Sequence, residues 1–130
     1  MKSKEDIERM LGQFTGTEKW HRHSLVPKFL YTDGIEWLAM SADAFWLIDL
    51  AASYQVEKKF WDMPFQLWTV TVDLKAGKGM AVMQQDLGMP EEIVQEFGHS
   101  DFPLEEFKFY VVDDGTTDET LKVMLLPSEY

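Results

Sequence analysis

Three histidines are the most versatile chemical groups of this chain, and two of them lie close together in the sequence. In an extended segment, His21 and His23 project from the same face. Two imidazoles on one face can approach one metal ion, and His99 with Asp101 would add further nitrogen and oxygen donors. The hypothesis is a metal site, with zinc as the candidate ion, and no other cofactor is predicted. The alternative is that these histidines form ordinary hydrogen bonds.

A single carboxylate lies within a long apolar segment. Residues 44–54 are apolar nearly all round a helix, which is typical of a helix buried on most sides, and Asp49 with Ser53 forms their narrow polar stripe. A buried carboxylate needs a partner. Asp49 is therefore a candidate general acid or base, with His23 or His99 as its neighbour, or the anchor of a small-ligand pocket. The alternative is a structural hydrogen bond.

One tryptophan lies beside two lysines in a polar connection. Trp61 follows Lys58 and Lys59, and tryptophan is enriched where proteins bind partners. These three residues are a candidate binding surface. The alternative is that Trp61 joins the core.

The composition excludes several classes of protein. The 130 residues include no cysteine, which rules out disulfide scaffolds and thiolate metal sites. A hydrophobic content of 45% with 14% aromatic residues argues against disorder. No apolar run approaches the roughly 20 residues of a membrane span, and the start lacks a signal-peptide core. We expect one globular, cytoplasmic domain over residues 1–130.

The charge is concentrated in the second half of the chain. The formal net charge is −11, of which residues 1–65 carry −2 and residues 66–130 carry −9. An acidic surface repels phosphate backbones, so direct nucleic-acid binding is not expected. It can attract a basic protein partner, or it can simply keep an aromatic-rich domain soluble.

Helical patterns dominate the first half. Ser3 is a good N-cap for an amphipathic helix over 3–14, and Ser41 is predicted to cap a second strong helix. The remaining pattern predicts short extended pieces over 20–23 and 28–31 and helices over 33–40 and 44–54.

The second half changes to period two, which predicts two hairpins, 68–73 with 80–85 and 107–112 with 121–125. Between them, 90–98 has proline at the first turn, acids after it and a closing glycine, which favours a helix; a strand over 93–97 is the alternative. The prediction is an α+β fold with an antiparallel sheet of about four strands and N-terminal helices packed on one face. The strand over 80–85 is a candidate edge for a homodimer, and monomer or dimer stays open.

An ordered set of short motifs runs through nearly the whole chain: Leu11–Glu18 (LGQFTGTE), Tyr31–Gly34 (YTDG), Phe45–Asp49 (FWLID), Phe65–Trp68 (FQLW), Asp101–Leu104 (DFPL) and Leu126–Tyr130 (LPSEY). Together they resemble an uncharacterised bacterial family known only as a domain of unknown function. The resemblance implies a small stand-alone bacterial protein, sometimes carried on phage or plasmid-like elements. It transfers no activity, cofactor or catalytic residue.

No catalytic motif is complete, which favours a non-enzymatic function. The first hypothesis is an acidic binding or regulatory protein that recognises a basic protein partner. The second is a metal-binding protein or small metal-dependent hydrolase at His21, His23 and His99. The third is a small-ligand pocket anchored by Asp49.

Overall fold

A mostly antiparallel sheet with helices against one face organises the molecule. The computed structural model describes residues 3–14, 20–98, 102–114 and 121–130. The strands in this part are β1 (Trp20–Arg22), β2 (Phe29–Thr32), β3 (Phe65–Asp73), β4 (Lys78–Gln84), β5 (Glu91–Phe97), β6 (Glu106–Asp113) and β7 (Lys122–Leu125). The helices are α1 (Lys4–Leu11), α2 (Asp33–Ser41), α3 (Phe45–Tyr54) and α4 (Lys58–Trp61), and a 3₁₀ turn covers Pro127–Glu129.

The strand order differs from the chain order. Across the sheet the strands follow β1-β2-β7-β6-β3-β4-β5. Strands β2 and β7 are parallel, and every other neighbouring pair is antiparallel. The edges are therefore β1 and β5. The predicted edge strand over 80–85 is wrong, because β4 lies between β3 and β5.

The α+β prediction is confirmed, and so are the two hairpins, β3–β4 and β6–β7. The predicted number of about four strands is wrong, because the sheet of the described residues has seven. Two of the additional strands are the short extended pieces near the N-terminus. They join the sheet through the parallel β2–β7 pair, in which residues 29–31 meet residues 122–124. Local sequence patterns contain no signal for a contact between such distant segments.

The third additional strand is β5: the favoured helix over 90–98 is wrong, and the alternative, a strand over 93–97, is confirmed. Residues 93–97 all pair with β4, and the side chains of Ile93, Gln95 and Phe97 alternate with those of Val94 and Glu96. The proline and the following acids resemble a helix start, but β4 already presents a row of backbone groups to the chain that follows it. Pairing with β4 satisfies those groups and outweighs the weak local helix preference.

The core lies between the helices and one face of the sheet. Each helix contributes to the same cluster of buried side chains, for example Ile7 from α1, Leu47 from α3 and Phe60 from α4. At its centre the Trp68 and Phe109 rings stack with centroids 5.5 Å apart. No helix in the described ranges is long and apolar enough to cross a membrane.

Two helix starts, those of α1 and α2, follow the rule that a side-chain oxygen caps the first turn, and those of α3 and α4 do not. Ser3 accepts from the Asp6 N–H, as predicted, and Thr32 accepts from the Ile35 N–H. The prediction that Ser41 caps the next helix is wrong. Ser41 is the last residue of α2, and the short connection to α3 passes through Asp43 in the left-handed region (φ 51°).

Candidate functional site

The His21 imidazole joins β1 to the start of α2. Its Nε2 lies 2.9 Å from Asp33 Oδ1 and its Nδ1 lies 3.1 Å from Glu36 Oε2. The ring also stacks on Tyr31, with centroids 5.3 Å apart. Both nitrogens face carboxylates that belong to one helix, so the side chain fastens the edge strand to that helix.

The His23 imidazole connects the end of the same strand to α3. Nδ1 accepts hydrogen bonds from the N–H groups of Leu25 (3.1 Å) and Val26 (3.0 Å). The proton of a neutral ring therefore sits on Nε2, which donates to Asp49 Oδ1 at 2.8 Å. His23 is 8% exposed, whereas the Asp49 side chain is 70% exposed. Asp49 thus lies at the surface and is paired with one of the two histidines suggested for it.

Tyr31 lies between these two histidine contacts. Partial burial raises the pKa of its phenol, and the negative charges of Glu36 and Asp49 raise it further. The phenol therefore keeps its proton in neutral solution. Glu36 of α2 and Asp49 of α3 thus both act on Tyr31 of β2, so the two helices direct these carboxylates towards the same part of that strand.

The predicted metal site is only partly visible. His99 and Asp101 lie outside the described residues. His21 and His23 bind separate carboxylates, and no group of three or more histidine, aspartate or glutamate side chains in the described ranges is arranged to hold a metal ion. In the described part, therefore, the two imidazoles connect strand to helix, and the four-residue zinc site stays a prediction.

The candidate surface at α4 borders an apolar groove of about 500 Å³. Trp61 and Lys58 line it, and Lys59 points elsewhere, with its Nζ 3.6 Å from Glu92 Oε1. The other lining residues are Leu25, Val26, Pro27, Lys28, Gln55 and Val56. Trp61 is partly buried and Trp20 is 46% exposed, so the tryptophan that lies in the polar connection is not the most accessible one.

A buried lysine lies beneath this groove, and sequence reasoning missed it. Lys122 is fully buried, and its Nζ donates to the Met63 carbonyl at 2.6 Å and to Asp113 Oδ1 at 2.5 Å. The same ammonium lies 5.5 Å from the centroid of the Trp61 ring. The sequence signal for this buried pair was the predicted hairpin of the last two strands. In the structure, the register of β6 and β7 places Lys122 directly opposite Asp113.

The face of the sheet that points away from the helices is called the open face here. It consists of the residues that alternate with the core-facing ones on β3 to β6, together with Glu91 opposite Gln84: Phe65, Leu67, Thr69, Thr71, Asp73, Lys78, Met80, Val82, Gln84, Glu91, Val94, Glu96, Glu106, Lys108, Tyr110 and Val112. Sequence reasoning did not single out this surface. The sequence does contain an indication of it: in both hairpins, the positions that alternate with the core-facing residues are also largely apolar.

The strand register arranges the open face in rows. One row runs from Glu106 through Thr71 and Met80 to Glu96, so that glutamates stand at both ends. The next row is Lys108, Thr69, Val82 and Val94. The middle of these two rows is thus uncharged, and their charged side chains, Lys108 as well as the two glutamates, stand at the row ends.

Three aromatic rings form a cluster at one end of the open face. The Tyr110 centroid lies 4.9 Å from that of Phe65 and 5.3 Å from that of Tyr130. Tyr130 reaches this position because Glu129 is anchored at the start of α2, where it accepts from Thr32 Oγ1 (2.6 Å) and the Gly34 N–H (3.3 Å). The segment 126–130 therefore docks back on the domain.

Comparison with known protein families assigns the chain to one of them. The matching family model is described as a family of unknown function (DUF6876) and covers residues 5–130. The chain belongs to this family. No curated protein and no solved structure matches it. The resemblance found in the sequence is thereby confirmed at the level of the family, and any function has to be argued from the geometry.

Proposed function

We propose that this protein is a non-enzymatic binding protein that recognises a basic protein partner through its open face. The observation that carries the proposal is the arrangement of that face, in which apolar and aromatic side chains occupy the centre and glutamates the margin. Protein interfaces combine an apolar centre with a polar rim in the same way. An exposed sheet face with half-buried Val82, Met80 and Tyr110 is also more apolar than solubility requires.

The charge of the chain supports a basic partner. The formal net charge of the 130 residues is −11. At long range this charge attracts cationic proteins and repels nucleic acid. Glu91 and Glu96 on the edge strand β5 place part of this charge at the margin of the open face, where a rim charge accelerates encounter and selects the partner.

The histidine contacts support a non-enzymatic function. A general base needs a nitrogen or oxygen within reach of a substrate proton. Both nitrogens of His21 and both of His23 are occupied by groups of the protein itself. Their geometry favours a structural role, in which they hold the strand β1 against α2 and α3.

The test compares three immobilised forms of the protein in capture from a native lysate. Thr69→Arg places a bulky cation in the middle row of the open face. Ser53→Arg is the matched control, because it makes the same charge change on the exposed side of α3. Bound proteins are eluted by raising the salt concentration from about 0.05 to about 0.3 M and identified by mass spectrometry.

The expected result is a basic protein that the wild type and Ser53→Arg retain, that Thr69→Arg loses, and that leaves as the salt rises. Titration of that purified protein against the three forms then gives the affinities. Equal retention by all three forms, or retention that salt does not change, would show that the open face is not the interface or that charge does not select the partner.

A second candidate function, the binding of a small apolar ligand, is favoured by the groove beside Trp61. Its volume of about 500 Å³ is in the range of ligand pockets. Asp49 is not among the lining residues, so the anchor proposed for such a pocket would be Trp61 with Lys58. If a panel of fatty-acid anions raises the melting temperature of the wild type and not of Trp61→Ala, the groove binds a ligand; equal shifts exclude it.

A further inference from the structure

The strand β5 leaves one side of its backbone without a neighbouring strand. It pairs with β4 over seven residues of sequence, and no other strand in the described ranges lies on its outer side. In an antiparallel ladder every second residue directs its N–H and C=O away from the partner. Such an edge is a template for pairing with another extended chain. The Gln95 side-chain amide donates to the Glu96 carbonyl at 2.9 Å, a contact that an incoming strand would share or replace.

The side chains of β5 make this edge acidic. Its sequence, EEIVQEF, contains three glutamates, of which Glu91 and Glu96 are exposed. Val94 is 52% exposed and lies between them on the open face. Next to Glu96, a surface groove of about 540 Å³ is lined by a second carboxylate, that of Asp73, by Lys78 and by the ring of Phe97, so two carboxylates face one lysine. The groove can accept a long cationic side chain.

We propose that β5 accepts an extended segment of the basic partner as an additional strand of the sheet. This inference rests on the proposed function and names how the partner binds. The backbone of β5 forms the hydrogen bonds that give affinity, and the groove selects the side chain that it accepts, which gives specificity. Strand addition to a sheet edge generally works in this way. The segment carries lysine or arginine opposite Glu96 and an apolar residue opposite Val94, two positions along the strand.

The charge distinguishes this occupant from a second copy of the chain. Pairing two β5 edges would bring a second set of three glutamates to the same seam, and like charges across a strand pair are unfavourable. The other edge of the sheet, β1, is only three residues long and carries Arg22. The acidic edge at β5 is therefore the better match for a cationic strand.

The experiment uses a defined probe, an acetylated peptide of about nine residues in which lysine and valine take turns at every second position and threonine fills the positions between them, so that it covers β5 with lysine opposite Glu96 and valine opposite Val94. A second peptide has the same side chains and N-methyl groups on alternate residues, so its charge is the same and its strand pairing is blocked. Binding is measured by calorimetry with the full chain. Amide hydrogen exchange then shows which strand becomes protected.

Two variants on one row of the open face provide the matched comparison. Glu96→Lys changes the edge strand, and Glu106→Lys makes the same change on the interior strand β6. We expect Glu96→Lys to weaken the binding of the unmodified peptide about tenfold or more and Glu106→Lys less than about threefold. Exchange protection should appear in β5, and the N-methylated peptide should bind about tenfold more weakly or worse.

Each other result overturns the inference. Equal losses in the two variants without protection of β5 would mean that the peptide docks on the face, which leaves the proposed function intact. Absence of peptide binding excludes strand addition, whereas the capture experiment with Thr69→Arg decides the proposed function separately. A concentration-dependent dimer that protects β5 would assign the edge to a second copy.

Discussion

Polar side chains are buried and hydrogen-bonded on the helix-covered face of the sheet, whereas on the open face they are exposed to water. On the helix-covered face, Gln66 is fully buried and exchanges two hydrogen bonds of 2.9 Å with Gln55, while the Trp68 indole donates to it at 3.1 Å. On the open face, Lys108 and Glu106 form a single exposed contact of 3.8 Å. In the part of the chain that the structure describes, no buried side-chain nitrogen or oxygen lacks a hydrogen-bond partner.

Access to water explains this difference. A polar group that loses water without gaining a partner costs on the order of 1–3 kcal/mol, so the covered face has to pair each one. On the open face water solvates the charges, and their positions are free to serve recognition. Substitutions on the covered face should therefore change the stability of the fold, and those on the open face should change binding. Four predictions test this contrast.

The largest effect is expected for Lys122→Ala. The substitution removes a buried cation and leaves the Met63 carbonyl and the Asp113 carboxylate without their partner. We expect the free energy of unfolding, measured in urea, to fall by about 3 kcal/mol. The control is Lys108→Ala on the open face, for which we expect a change below about 0.5 kcal/mol. Similar values for both lysines would contradict the contrast between the faces.

The next effect is expected for Gly79→Ala on β4. A Cβ atom there would lie 2.5 Å from the Phe97 ring and 2.6 Å from the Thr71 carbonyl oxygen, and the backbone oxygen cannot move aside easily. We expect a loss of about 2 kcal/mol in the same assay. Gly12→Ala is the control, because no atom lies within 4 Å of its Cβ position. If the two variants are equally stable, the close contacts of Gly79 with Phe97 and Thr71 do not exclude a side chain at this position.

His23→Ala and Asp49→Asn separate the two halves of one contact. The first removes the acceptor for the Leu25 and Val26 N–H groups, and we expect a loss of about 1–2 kcal/mol. The second keeps a side-chain oxygen for the His23 Nε2 proton, and we expect less than about 0.5 kcal/mol. Thermal unfolding of both variants measures this. An Asp49→Asn loss as large as that of His23→Ala would mean that the carboxylate charge, not its hydrogen bond, is required.

The smallest effect is expected for Glu106→Gln. Its contact with Lys108 is exposed and long, so water and salt screen it. We expect the free energy of unfolding to change by less than about 0.3 kcal/mol. A larger loss in urea unfolding would show that the rows of the open face contribute to folding as well as to recognition.

Much of the fold could be predicted because it follows from neighbours in the chain. The stripe of Ile7, Met10 and Leu11 defines α1, and period-two alternation defines β3 and β6. The preference for a helix over 90–98, where the alternative of a strand was right, has a different origin. Pro90 and Gly98 are typical of helix ends, whereas the decisive influence is the β4 ladder beside the segment, which local spacing does not contain.

The candidate site was less predictable for the same reason. The spacing of His21 and His23 suggested that both approach one metal ion, whereas in the structure each contacts its own carboxylates. The partners Asp33, Glu36 and Asp49 come from two helices whose positions depend on the whole core. The chemical types suggested a metal site, and the histidine–carboxylate contacts became visible only with the packing. The contribution of His99 and Asp101 to a metal site stays a prediction.

The α+β class, the helices α1 to α3, the two hairpins and the acidic charge follow from the sequence, because composition and periodicity are local properties, and the ordered motifs indicate the family. The seven-strand order, the helix α4, the burial of Lys122, the pairing of the histidines and the open face with its acidic edge depend on tertiary packing. These features arise where residues far apart in the chain meet, and their energies depend on which groups lose water together.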